Sequence, residues 1–187
     1  MKNISKILAI LSLPLLLSAC GGGGGGSGGA ASYTVTNCND SGTSYQTTEY
    51  KYMSYGVSGT YNPLKFVCAS AAYARGATGD GIKVAVLDTG VKTANAGSST
   101  NTDHYELGNV VNFTSGSDAV NSDNTPNDDS GHGTHVAGII AADRGDGGMH
   151  GVAYEADLYI FKNINAAGSS TTTIMKTAMQ KAIAADV

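Results

Sequence analysis

Ser130-Gly131-His132-Gly133-Thr134-His135-Val136-Ala137-Gly138-Ile139-Ile140 is the stretch on which the fold is read. Ser130 is placed to cap a helix beginning here, which puts His132 in its first turn. The positive end of the helix dipole there disfavours an imidazolium, and a neutral imidazole is what a general base requires. Gly133, Ala137 and Gly138 are small, so another backbone can come close to the helix. Val136, Ile139 and Ile140 are expected to anchor it in a core.

Upstream lies Val84-Ala85-Val86-Leu87-Asp88-Thr89-Gly90-Val91. An apolar run that ends in a carboxylate and a glycine turn reads as a buried parallel strand with Asp88 at its carboxyl end. Open α/β sheets place their sites at that end. A carboxylate there can accept a hydrogen bond from one imidazole nitrogen and leave the other basic.

Together the two stretches resemble the subtilisin-like serine proteases. Val86-Leu87-Asp88-Thr89-Gly90-Val91 matches the aspartate block of that family. Gly131-His132-Gly133-Thr134-His135-Val136-Ala137-Gly138 matches its histidine block, in the family's order. The resemblance runs from about Pro63 to Val187. It implies a serine endopeptidase acting on protein or peptide substrates, with Asp88 and His132 as the catalytic residues present. It also implies an α/β fold, a doubly wound parallel sheet of the subtilisin type, here incomplete because the later central strands are missing.

Residues 1–20 read as an export signal: Lys2 and Lys6 precede an apolar run from Ile7 to Leu17. Leu17-Ser18-Ala19-Cys20 resembles a bacterial lipoprotein processing site, which would make Cys20 the lipidated terminus. An ordinary secretory cleavage near Ala19 is the alternative. Residues 21–30 are a glycine-rich tether whose nine positions from Gly21 to Gly29 reach roughly 15–18 Å. The expected location is therefore the bacterial cell envelope, at the outer membrane or cell surface, with the membrane engaged through the lipid. Residues 31–62 form a polar arm carrying six of the ten tyrosines, expected to pack on the domain spanning 63–187. With Cys20 lipidated, Cys38 and Cys68 are an even remainder in an oxidising compartment, and a disulfide between them is expected.

Phe66–Arg75 reads as one short helix, Val110–Phe113 and Ala156–Lys162 as strands, and Thr171–Ala185 as a helix. The apolar stripe of that last helix is Ile174, Met175, Ala178, Met179, Ala182 and Ile183, with both methionines as core filler. His104-Tyr105-Glu106-Leu107 resembles a family turn with two departures, and Tyr154 stands where the family has proline. Asp118, Asp123, Asp128 and Asp129 read as a solvated acidic rim. Calcium occurs in the family, but their spacing fits no calcium-loop motif, so no metal or cofactor is assigned.

No Gly-Thr-Ser block follows Val187 and no later Asn completes an oxyanion hole, so the chain is expected to be inactive by itself. Two rivals stay in view. One is an inactive surface lipoprotein that uses a protease-like half as a binding module. The other is an aspartic protease built on Asp88-Thr89-Gly90 and Asp129-Ser130-Gly131, which the βα alternation and the helical histidine block disfavour. A zinc site is weaker, because no ligating Glu lies between His132 and His135. The net charge of −4, more acidic once Lys2 and Lys6 leave, argues against nucleic acid as a partner.

Overall fold

The computed structural model describes residues 44–45, 50, 62–92, 107, 111–113, 116–122, 124–145 and 149–187. The signal, Cys20, the tether, Cys38, His104 and most of the arm lie outside the described residues. Among those described, no helix is long and apolar enough to cross a membrane.

Two short helices come first, α1 (Pro63–Phe66) and α2 (Ala69–Tyr73), followed by β1 (Lys83–Asp88) and β2 (Val111–Asn112). Then come α3 (His132–Ala141), β3 (Asp157–Lys162) and α4 (Thr172–Ala184). The single helix expected over Phe66–Arg75 is instead two. Cys68 takes a left-handed conformation (φ 58°) and interrupts it, and Asn62 caps the first piece through Lys65 N–H. Cys68 is disulfide-bonded.

The strands form one parallel sheet in the order β1-β3-β2. Both faces are covered, and the strand period of two explains how. Val84, Val86, Leu158 and Ile160 face one way and pack with Ala137 and Ala141 of α3. Ala85, Leu87 and Phe161 face the other way and pack with Ala178 and Ala182 of α4. This is the doubly wound α/β arrangement expected from the alternation of strands and helices.

Small residues make these contacts. The residues α3 buries are Gly133, Ala137 and Ala141, one turn apart on one face, whereas Ile139, expected as an anchor, is half exposed. Likewise α4 buries Ala178 and Ala182, while Met179 and Ile183 of the expected stripe are exposed. Met179 is therefore not core filler here. Alanines let a helix lie close to a sheet, and the neighbouring longer side chains then splay outward.

The arm reaches this domain at an aromatic cluster. Tyr45 and Tyr50 meet Tyr73, Tyr154 and His150, and Tyr73 and Tyr154 meet edge to face with centroids 5.0 Å apart. The Arg144 guanidinium lies over both Tyr45 and Tyr154, at 5.0 and 5.3 Å. Tyr154, the departure from the family's proline, thus packs edge-on against Tyr73 and His150, the two rings that Tyr45 and Tyr50 of the arm meet. Burial pushes the phenols of Tyr73 and Tyr154 up from their ordinary range.

The two α3 glycines have opposite surroundings. A Cβ at Gly133 would collide with the Gly90 carbonyl oxygen, whereas one at Gly138 would meet open space. Thermal denaturation should therefore separate them. Gly133→Ala should destabilise by about 1–3 kcal/mol or more. Gly138→Ala should stabilise by roughly 0.5–1 kcal/mol through helix propensity.

Candidate active site

Asp88 ends β1 with no exposed surface, and His132 opens α3 with its side chain half exposed. The His132 Nδ1 stands 2.7 Å from Asp88 Oδ1. The same carboxylate oxygen accepts the Thr89 N–H at 2.7 Å. An ionised Asp88 can only accept, so His132 Nδ1 carries the proton and Nε2 is left as the basic nitrogen. The strand end and the helix start thus meet as the two sequence blocks require.

The loop before α3 is not the solvated rim expected of it. Asp128 is buried. Its Oδ1 accepts Ser130 N–H at 3.0 Å and Gly131 N–H at 2.9 Å, together with the Thr89 hydroxyl at 2.7 Å. Its Oδ2 accepts the Thr134 N–H at 2.9 Å and the Thr134 hydroxyl at 2.6 Å. Thr89 Oγ1 in turn accepts the Gly133 N–H at 2.8 Å. Ser130 therefore does not cap the helix. The N-cap position is Gly131, in a left-handed conformation (φ 92°) without a side-chain bond, and the carboxylate of Asp128 takes up the free N–H groups instead.

Asp118 is buried as well, bonded to Val120 N–H, Asn121 N–H and the Asn121 amide. Asp129 is half exposed and pairs with Lys162 at 3.0 Å. Asp123 lies outside the described residues. Among the described residues no group of three or more His, Cys, Asp or Glu could hold a metal ion. His135 is exposed. It lines a shallow cavity of about 380 Å³ with Lys92, Thr134, Gly138 and Met149.

The two sequence blocks marked the Asp88–His132 pair, which the structure brings together, but not the residues that support it. The signal for Asp128 was present: Asp-x-Ser-Gly is the pattern of a side chain closing a turn on the backbone two residues on. Lys162, a charge directly after the run Leu158-Tyr159-Ile160-Phe161, was a second such signal.

Burial pushes the Asp128 carboxyl up, but the hydrogen bonds from Thr134, Thr89 and Ser130 outweigh it and hold the pKa at about 2. A depressed carboxylate stabilises the fold above its unfolded pKa, near 4, and loses that contribution as pH falls through the folded value. Asp128→Asn should accordingly cost roughly 2 kcal/mol at pH 7. Urea titrations at several pH values should show this difference closing between about pH 4 and 2.

Residues 79–187 match the Subtilase family. Over 107 residues the chain is 43% identical to Subtilisin Savinase of Lederbergia lenta, a match covering 57% of this chain and 35% of that protein. It is 40% identical over 111 residues to the major intracellular serine protease of Bacillus subtilis (strain 168), covering 57% of this chain and 31% of the relative. A crystal structure of a cold adapted subtilisin-like serine proteinase shares 30% identity, covering 56% of this chain and 33% of that one, with a TM-score of 0.45. The chain thus spans about a third of the length of these relatives. The family match takes in more than half of the 187 residues, both blocks included, and the chain belongs to the subtilase family.

Proposed function

We propose that this chain is the part of a serine endopeptidase that carries Asp88 and His132, with the nucleophilic serine supplied by a segment outside the 187 residues. The observation that carries the reading is the 2.7 Å contact between His132 Nδ1 and the buried Asp88 carboxylate. In this mechanism His132 Nε2 removes the proton from the serine hydroxyl as the oxygen attacks the scissile carbonyl. Asp88 stays ionised, holds the tautomer and stabilises the imidazolium that forms. The imidazolium then protonates the leaving amine, and water repeats the sequence to release the acyl group. Substrates are proteins or peptides, as the relatives' names as proteases suggest.

The proposed location is the bacterial cell envelope. Cys20 carries the lipid, residues 21–30 hold the domain off the bilayer, and a Cys38–Cys68 disulfide fastens the arm. The reading is supported by Leu17-Ser18-Ala19-Cys20 followed by the glycine run.

Casein hydrolysis tests the chemistry. A form of the protein that includes the serine-bearing segment should be active and blocked by a phosphonylating or sulfonylating reagent. His132→Ala and Asp88→Asn should each lower turnover by about 10⁴–10⁶-fold, and the 187-residue chain alone should cleave nothing. Full activity of His132→Ala would refute the mechanism, and inhibition only by a carboxylate-dyad reagent would favour the aspartic rival. For the anchor, Cys20→Ser should move the protein from the membrane to the soluble fraction of expressing cells. Equal membrane association of both forms rules the lipid out.

A further inference from the structure

We propose that Lys162, working with Asp129, is a positioning residue for the Asp88–His132 pair; the proposal rests on the reading of that pair as catalytic. Lys162 closes β3 with its Cα in register with that of Asp88. It is buried, with 1% of its surface exposed. Its backbone is fixed from both sides. The Lys162 N–H donates to Ser117 O at 2.8 Å, and its carbonyl accepts the Ala119 N–H at 2.9 Å. The next two amides, of Asn163 and Ile164, donate to the Asp88 carbonyl at 2.9 and 3.2 Å. The side chain therefore starts from a point that cannot drift relative to β1.

An ammonium has three donors and no acceptor, and Lys162 uses all three. Nζ donates to Thr89 O at 2.7 Å, to Asn127 O at 2.8 Å and to Asp129 Oδ2 at 3.0 Å. Thr89 directly follows Asp88. Asn127 and Asp129 flank Asp128, just before the helix that begins at His132. One cation thus draws together the two segments whose spacing sets the 2.7 Å bond between aspartate and histidine. Filling the volume does not require a lysine, since a methionine would occupy it without the cost of burying a charge. A methionine cannot gather three oxygens about one point. Without the ammonium those oxygens repel one another, and the loop before α3 moves away from the end of β1.

The test reads the geometry directly. In the full chain, the proton on His132 Nδ1 gives a far-downfield NMR resonance, identified by its loss in His132→Ala. Lys162→Met should shift or abolish that resonance. Asp129→Ala, which leaves the buried site filled, should shift or broaden it. Ile160→Val, a core variant that only lowers the melting temperature, should leave it in place. In the form that hydrolyses casein, Lys162→Met should lower kcat by roughly 10–100-fold with KM changed by less than about twofold. An unmoved resonance in either folded variant overturns the proposal, and if Lys162→Met does not fold, Asp129→Ala alone decides. Absence of the resonance from the unaltered chain overturns the catalytic reading of the pair, and this proposal with it.

Discussion

Gly133 lies directly against the Gly90 carbonyl, and the approach of α3 to the end of β1 depends on that contact. No residue with a Cβ fits at the helix position without moving one of the two elements. Gly90 is constrained in the same way: it has φ 107°, and a Cβ there would run into Pro126 O. The close approach lets Thr89 Oγ1 accept the Gly133 N–H and brings His132 within hydrogen-bonding distance of Asp88. Two glycines fix the distance, and the polar side chains around them fix the orientation.

These polar groups form a second set around the Asp88–His132 pair. Asp128 ties Thr89 to the first turn of α3, and Lys162 ties Thr89 to the loop on either side of Asp128. Backbone bonds close the same seam, Val91 N–H to Pro126 O and Asp128 N–H to Val91 O, at 2.9 and 3.0 Å. A helix start held only by packing could rotate or slide by a fraction of an ångström. Hydrogen bonds to one carboxylate and one ammonium remove that freedom, which matters because misplacement of about 1 Å can cost 10²-fold in rate.

Much of this was legible in the sequence, for identifiable reasons. The strand ending at Asp88, the helix starting at His132, β3 and α4 all show in the order and period of their apolar residues. Their bounds agree with the structure to within a residue or two. What the apolar pattern does not encode is how deeply a polar residue sits. Asp118 and Asp128 look alike to a composition count and like any solvated loop acid, yet both are buried under backbone N–H groups. Nor does a stripe of apolar residues reveal which half will touch the sheet. In α4 the alanines do, because they allow the closer approach, and Ile183 is left 71% exposed. The break at Cys68 was hidden for a different reason, since a left-handed residue inside a helical pattern leaves no periodic trace.

The electrostatics of the pair set stability against chemistry. Asp88 is fully buried. Its Oδ1 has two donors, and its Oδ2 has no hydrogen-bond partner among the described residues. Burying a carboxylate with one oxygen unsatisfied costs free energy that a polar or paired environment would not. Once the imidazole gains a proton, the buried Asp88 carboxylate 2.7 Å away is the anion it faces, although the half-exposed ring leaves part of that attraction screened by water. The interaction is therefore stronger in the charged state than in the resting one. Only such a difference lowers a barrier. The buried carboxylate is thus a cost to the fold that the proposed reaction recovers as stabilisation of the charged intermediate.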